Sequence, residues 1–518
     1  MNKYLRPAAL LALGCSLVWG SNWLTYGGDQ QRDGWAKDET VISKDNVKRL
    51  ELGWKIQLAN DSKELNSLTA PLILDGIVTS HGFKEYAFVA GSSDNLFVID
   101  ADTGKLVWQK HFISNVPPPK EPAQNWLCPN GLNDTPVISK GFTNSSVYVI
   151  STDGKLHALN PVNGEDRFPP TQFVPPYSKN WSLNLVDNVL YTSVSQGCGG
   201  AKSGVWSMDL GSPNRPVKFF QSDTSGGGIW GRGGVAIGQD GTVYAETGDG
   251  PYDPKAGKYA DTFLALSPKD LTLKDYYTPA NRDWITRRDL DMGNITPVAF
   301  PYKGRDLIVG GGKEGSLYLL DSKSLGGETH RKPMFHTGLY TNAGVDFAGH
   351  GFWGSFASWE DSKGTRWVYA PALGPVAPKS PAFPLTNGAA PSGSIMAFKV
   401  EDGADGQAKL EPAWISRDLN TPEPPIIANG IVFAVSSGAF NGQVTEDGNG
   451  LYTSKERAEK ATGNATLYAF DAETGKELYS SGKIIPSFTH FGATSIANGH
   501  VYVTTYDNTV YSFQVKQD

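Results

Sequence analysis

The stretch DNLFVIDADTGKLVW, Asp94 to Trp108, alternates apolar residues over a short run, reaches an Asp, turns on Thr-Gly and resumes with a second apolar run. That is a β-strand entering a tight turn and leaving as another strand. Related copies follow: DGKLHALNPVNGED from Asp153, GVWSMDL from Gly204, TFLALSPKDL from Thr262, GSLYLLDSKSLGG from Gly315, GSIMAFKV from Gly393, ATLYAFDAETGKELY from Ala465 and NTVYSFQV from Asn508. Their spacing, roughly 45 to 80 residues, suits four-stranded propeller blades that carry loop insertions. Eight copies predict eight blades. Between them, APLILDGIVTS (Ala70 to Ser80), TPVISKGFTNSSVYVIST (Thr135 to Thr152) and IIANGIVFAVSS (Ile426 to Ser437) each read as two further strands around a Gly or Asn turn.

The last copy ends too near the C-terminus to hold an outer strand. The segment NVKRLELGWKIQL, Asn46 to Leu58, has the length and apolar content to supply one, which would close the ring and remove its sheet edges. No linker interrupts the run. The expectation is an all-β chain, with residues 21–518 forming a single eight-bladed β-propeller closed by pairing its N-terminal strand with the last blade.

Composition agrees. Among 518 residues there are 59 Gly, 33 Pro, 14 Trp, 21 Tyr and 23 Phe but only 5 Met, a bias toward turns and strand aromatics. A net charge of -7 without a long run of either sign gives no reason to expect nucleic acid. The opening MNKYLRPAALLALGCSLVWGS has Lys3 and Arg6, an apolar run and then small residues, the order of a secretory signal cleaved after Gly20. A lipid-modified Cys15 is the lesser alternative. Removal of the signal leaves no transmembrane span to expect, a periplasmic or secreted protein, and two cysteines, Cys128 and Cys198. These are either a disulfide pair or two separate thiols.

One region reads as site rather than scaffold. Between Gly226 and Asp291 the chain sets Trp230 among Gly226, Gly227, Gly228 and Gly231, ends a strand on Thr247, Gly248 and Asp249, and carries the close acidic pair Asp289 and Asp291. Their plainer readings are a core Trp of the fourth blade and an Asx-turn at a blade corner. His81, His157, His336 and His350 are too scattered to suggest a transition-metal site.

The repeats resemble those of the pyrroloquinoline quinone (PQQ) dehydrogenases. That family's signature, Ala-x-Asp-x-x-Thr-Gly-x-x-x-Trp, is matched from Val98 to Trp108 apart from Val98, and from Ala469 to Tyr479 apart from Tyr479. WLTYGGDQQRDGW and KDNVKRLELGW resemble the family's N-terminus, and DYYTP (Asp275 to Pro279) with DLDMG (Asp289 to Gly293) resembles its polyvinyl-alcohol-dehydrogenase branch. The resemblance makes Trp230 the floor under the quinone and Lys313 the cation beside its oxygens, where a turn lysine in solvent is the plainer reading. It makes Asp249 a calcium ligand, and Asp289 both a metal neighbour and the base that takes the substrate proton, with Asp291 next in line. Ser195 and Gly228 fall on its cofactor-binding segments.

The departures are specific. Where the family has Val-Ser-Gly-Ala-Glu, this chain has Val194, Ser195, Gln196, Gly197 and Cys198, so the calcium-binding Glu is lost; Asp249, in place of an Asn, retains charge near the site. CPNGLND holds one cysteine, Cys128, where the methanol branch has two, and no Cys-x-x-Cys-His exists to attach haem. Because the resemblance brings Cys128 and Cys198 to one pocket, it implies a disulfide between them; the alternative is a free Cys198 thiolate binding a softer ion such as zinc. The function implied is oxidation of a small or polymeric alcohol or a sugar, with PQQ, a weakened calcium site and a separate cytochrome or other electron acceptor. Against it stand a non-catalytic binding or scaffold propeller and a glycan-binding one, the latter suggested by the aromatics of WLTYGG and GFWGSFASWED.

Overall fold

A computed structural model describes residues 20–119, 127–132, 134–141, 143–222, 228–492 and 494–516. The residues read as a signal, with Cys15, lie outside these. Eight β-sheets are arranged in sequence as blades. The third strand of each carries one repeat copy: Asn95–Asp100, Lys155–Leu159, Gly204–Asp209, Phe263–Leu266, Leu317–Asp321, Gly393–Asp402, Thr466–Asp471 and Thr509–Val515. The eighth blade takes its outer strand from the other end of the chain, Leu50–Gln57, antiparallel to Thr509–Val515 with Leu50 opposite Val515 and Gln57 opposite Thr509. Among the described residues, no helix is long and apolar enough to cross a membrane.

The repeat signature is explained by how blades dock. Asp100 accepts from the Thr103 amide and hydroxyl at 3.0 and 2.7 Å, which fixes the turn and puts Gly104 at φ +69°. The indole of Trp54, from the preceding blade, lies on that glycine, where a Cβ would stand 2.6 Å from the ring, and donates to the Ala101 carbonyl at 2.8 Å. Trp108 repeats this on Gly164 and Pro161, and Trp414 on Gly475 and Ala472. Each Trp of a repeat therefore packs against the Gly of the next one, and the motif is an inter-blade joint.

Two expectations are corrected here. Asp75-Gly76 is not a hairpin turn: Leu72–Thr79 is one strand with its register shifted between Leu74 and Ile77, and the turn follows it. The aromatics of WLTYGG and GFWGSFASWED that suggested a glycan-binding propeller are buried, Trp23 at 1%, Tyr26 at 3%, Phe356 at 1% and Trp359 at 8% exposure, which removes the basis for that face.

The N-terminal segment touches the first strand of blade after blade. Trp23 bonds Ile73, Leu24 bonds Ile138, Gln30 bonds Ile237, Gln31 bonds Ala299, Asp33 bonds Ser358 and Ala36 bonds Ile427, all through the backbone. Thr25 donates to Leu183, and Ser21 and Glu39 accept from Asn498 and Gly499 of the eighth blade. A segment that reaches the innermost part of all eight blades, six of them on the strand itself, lies on the axis. Arg32, fully buried, anchors it by donating to Thr25, Tyr26, Leu183 and Val235.

Candidate active site

Trp230 enters the axis on the way into the fourth blade, its amide donating to the Gly293 carbonyl at 2.9 Å. The described glycines beside it allow close packing. A Cβ at Gly248 would meet Asp291 Oδ2 at 2.6 Å, one at Gly293 would meet the Gly228 carbonyl at 2.4 Å, and one at Gly231 would meet Ile295 backbone at 2.4 Å. They let three backbone segments converge beneath the indole. Gly226 and Gly227 lie outside the described residues. Gly228, at φ +129°, bridges to Ser195, and a Cβ there would meet the Ser203 side chain at 2.5 Å.

The short helix Arg282–Thr286 ends in a turn that leaves Asp289 in the left-handed region at φ +53°, and the chain then carries Asp291 inward. Lys313, from the turn after Arg305–Gly311, reaches both: its Nζ is 2.7 Å from Asp289 Oδ1 and 2.6 Å from Asp291 Oδ1. Trp230 Nε1 donates to the other Asp291 oxygen at 3.0 Å. Lys313 is 4% exposed, so the solvated turn lysine is corrected to a buried ion pair. Burial alone would lower its pKa, but the two carboxylates outweigh this and hold it above the usual range. Asp289 keeps a half-exposed side chain at 52%. Its pKa is pushed up, first by desolvation and also by the charge of Asp291, with Lys313 pulling against both.

Asp249, Asp289 and Asp291 can each offer an oxygen within 4.8 Å of the others. Their fit to calcium is nonetheless poor. The Lys313 ammonium already lies between two of the three carboxylates, both oxygens of Asp291 are engaged, and Cys198 is held in a disulfide. Behind them is Asp261, fully buried, taking a hydrogen bond from Thr286; burial first, and then the charge of Asp291, pushes its pKa up to about 8.

These groups form one end of a cavity of about 430 Å³. Trp353 meets Trp230 edge to face at 5.7 Å and stacks on Phe491 at 5.9 Å, making an aromatic wall. Beyond Phe491 the lining turns basic, with Lys179, Arg232, Arg457 and His490. Leu127 and Gln196 also line it, one and two residues in sequence from the cysteines of the Cys128–Cys198 disulfide, whose Cα atoms are 5.4 Å apart. A free Cys198 thiolate is thereby excluded. Ser195 does not line the cavity: it is buried, accepting from Trp181 Nε1 at 2.8 Å and donating to Gln196 at 2.8 Å. The fit to a flat, acidic quinone is good, since aromatic surface and positive charge share one enclosure.

Sequence reasoning found Trp230, Asp249, Asp289, Asp291 and Lys313, which do converge. It missed Trp353, Phe491 and the basic residues. Arg232 follows Trp230 closely and could have been noticed, but Arg457 and His490 come from a distant helix and a distant loop with no motif of their own.

No protein-family model matches the sequence. The chain is 23% identical over 540 aligned residues to a 1-butanol dehydrogenase (cytochrome c) of Thauera butanivorans, covering 91% of this chain and 73% of that one. It is 24% identical over 585 residues to the dehydrogenase subunit of an alcohol dehydrogenase (quinone) of Komagataeibacter europaeus, covering 93% and 71%. Among solved structures, the quinohemoprotein alcohol dehydrogenase of Comamonas testosteroni superposes with a TM-score of 0.58 at 15% identity over 96% of this chain and 81% of that one. A europium-containing methanol dehydrogenase gives 0.59 at 13% over 95% and 98%.

Proposed function

We propose that this eight-bladed propeller, similar in sequence and fold to quinoprotein alcohol dehydrogenases, oxidises an alcohol or sugar hydroxyl in its axial cavity, outside the cytoplasm. The observation that carries the reading is the cluster of Asp289, Asp291, Lys313 and Trp230 at one end of an aromatic cavity. PQQ, when bound, supplies the acceptor for the hydride. Asp289, the exposed member of the acidic pair, accepts the hydroxyl proton at a carboxylate oxygen, and its raised pKa brings it nearer to neutrality, as suits a general base. Asp291 is fixed by Trp230 and in turn fixes the Lys313 ammonium, so that a positive charge is held at this end of the cavity without any side chain having to reorient. Trp230 and Trp353 keep water from one side of the cavity. No step is assigned to calcium. A separate acceptor such as a cytochrome would take up the electrons.

A second reading, a binding propeller without catalysis, is favoured by one observation: Lys313 fills the gap between carboxylates that the metal of a quinoprotein would need. Titrating the purified protein with PQQ while following Trp fluorescence, then assaying dye-linked oxidation of primary alcohols, separates the two. The enzyme reading expects saturable quenching and turnover. Asp289→Asn should keep the quenching and lose turnover by about 10²-fold or more. Absence of PQQ binding at any concentration tested leaves the binding propeller.

A further inference from the structure

Gly20, the first residue described, lies where the first and eighth blades meet. Its amide donates to Asp75 Oδ2 at 2.9 Å, and a Cβ there would stand 2.7 Å from that oxygen and 2.6 Å from Asn498 Oδ1. Ser21 follows, 4% exposed. Its amide donates to Asn498 Oδ1 at 2.5 Å, and its hydroxyl donates to the same oxygen at 3.2 Å and to Glu39 Oε2 at 3.4 Å. Asp75 belongs to the first strand of the first blade, and Asn498 to the turn between Thr494–Ala497 and His500–Thr504 of the eighth.

Carboxylates crowd this junction. Glu85, on the second strand of the first blade, is 8% exposed, and its Oε1 has no hydrogen-bond partner. Burial first pushes its pKa up to about 8; a hydrogen bond with Asn498 pulls against this, and the charges of Asp75, Asp102 and Glu39 add to it. Lys140 interacts with Asp75 and Asp38, and Lys84 pairs with Asp100 at 3.1 Å, so Glu85 is the acid left with an unbonded oxygen. A buried acid so placed costs the fold unless a cation or a proton joins it.

The apolar run from Ala8 to Val18, with Lys3 and Arg6 ahead of it and small residues behind, reads as a leader cut after Gly20. We propose that this cut supplies the cation: the new α-ammonium of Ser21 docks among Asn498, Asp75 and Glu85 and fastens the N-terminal segment to the seam that closes the ring. A peptidase selective for small residues hydrolyses the Gly20–Ser21 bond during export, before the chain folds. The oxygen of the water joins the Gly20 carbonyl, which leaves with the leader as a carboxylate, and both hydrogens end on the Ser21 nitrogen. An amide offers one hydrogen, which is spent on Asn498, whereas an ammonium offers three. Departure of Gly20 also opens the space it fills between Asp75 and Asn498. None of this depends on what the axial cavity binds.

The test compares two exported forms, the native chain and one with Gly-Ser-Gly-Gly inserted between Gly20 and Ser21. Intact mass should place the native N-terminus at Ser21. An acylating reagent at pH 7 should modify that amine at least tenfold more slowly in the folded protein than in urea, and the amine of the inserted form equally fast in both. The native form should melt about 2 °C or more above the inserted one. Glu85→Gln and Asp75→Asn should each shrink that gap by half or more; if one variant does not fold, the other and the acylation rates decide. A mature chain that begins at another residue, a lipid-modified Cys15 included, overturns the proposal. So does a gap that the variants leave unchanged, or a Ser21 amine that reacts as fast folded as unfolded.

Discussion

Lys313 makes two ion pairs of nearly equal length and unequal worth. Asp291 is 1% exposed, so removing it leaves a buried ammonium with one partner, whereas Asp289 is half in water and its pairing is screened. Asp291→Ala should cost about 3 kcal/mol in urea unfolding and Asp289→Ala less than about 1 kcal/mol; equal losses would mean that exposure does not rank these pairs. Asp134 offers a pH test at the same scale. It is fully buried, and burial pushes its pKa up to about 7, so the folded state holds a proton that the unfolded state releases near pH 4. The folded state binds more protons across that window, and stability from this group is therefore full below about pH 4 and falls as pH rises to 7. Asp134→Asn, which never ionises, should flatten that slope in melting temperatures recorded from pH 4 to 8. An unchanged slope would assign it to other groups.

At the scale of the element, the Thr-Gly turn and the Trp before it are one device seen from two blades. Gly475 and Gly304 both lie at positive φ, +71° and +79°, but a Cβ on Gly475 would stand 2.4 Å from the Trp414 ring while one on Gly304 meets nothing within 4 Å. Both Ala variants share a backbone penalty of roughly 1–2 kcal/mol. Gly475→Ala should exceed Gly304→Ala by about 1–3 kcal/mol through overpacking at the joint, and equal losses would show that the indole yields freely. The strand-turn pattern was legible because it is local: alternation marks the strand, and the Asp-Thr hydrogen bonds need only neighbours. Asp75-Gly76 misled for the complementary reason. A strand bulge and a hairpin turn use the same residues, and only the partner strand Gly82–Gly91 decides which is formed.

At the scale of the molecule, two long-range ties hold the ring around its cavity. The Cys128–Cys198 disulfide closes a loop of 70 residues, worth roughly 4 kcal/mol in the chain-entropy view, so Cys198→Ser should lower unfolding free energy by about 2–4 kcal/mol and abolish the difference between reduced and oxidised protein. The other tie is the axial segment anchored by Arg32. Removing a buried guanidinium that serves several carbonyls should cost about 3 kcal/mol or more, and Arg32→Ala should loosen blades three and four together, read as faster hydrogen exchange at Leu183 and Val235; exchange that stays at the wild-type rate would deny the anchor.

The sequence by itself determined the eight blades, the turns that join their strands and five of the residues that meet at the axis, because each of these is written in a short window or in a motif. Tertiary structure alone decided what those residues do. It put the Lys313 ammonium between Asp289 and Asp291, packed Gly231 and Gly293 against backbone beside Trp230 and paired Cys128 with Cys198. It also gathered Lys179, Arg232, Arg457 and His490 from three blades and a connecting loop into one wall. The reason is geometric: a closed ring brings the inner ends of all its blades within side-chain reach of one axis, so residues hundreds of positions apart become neighbours there, and no local pattern in the chain records which of them will face one another.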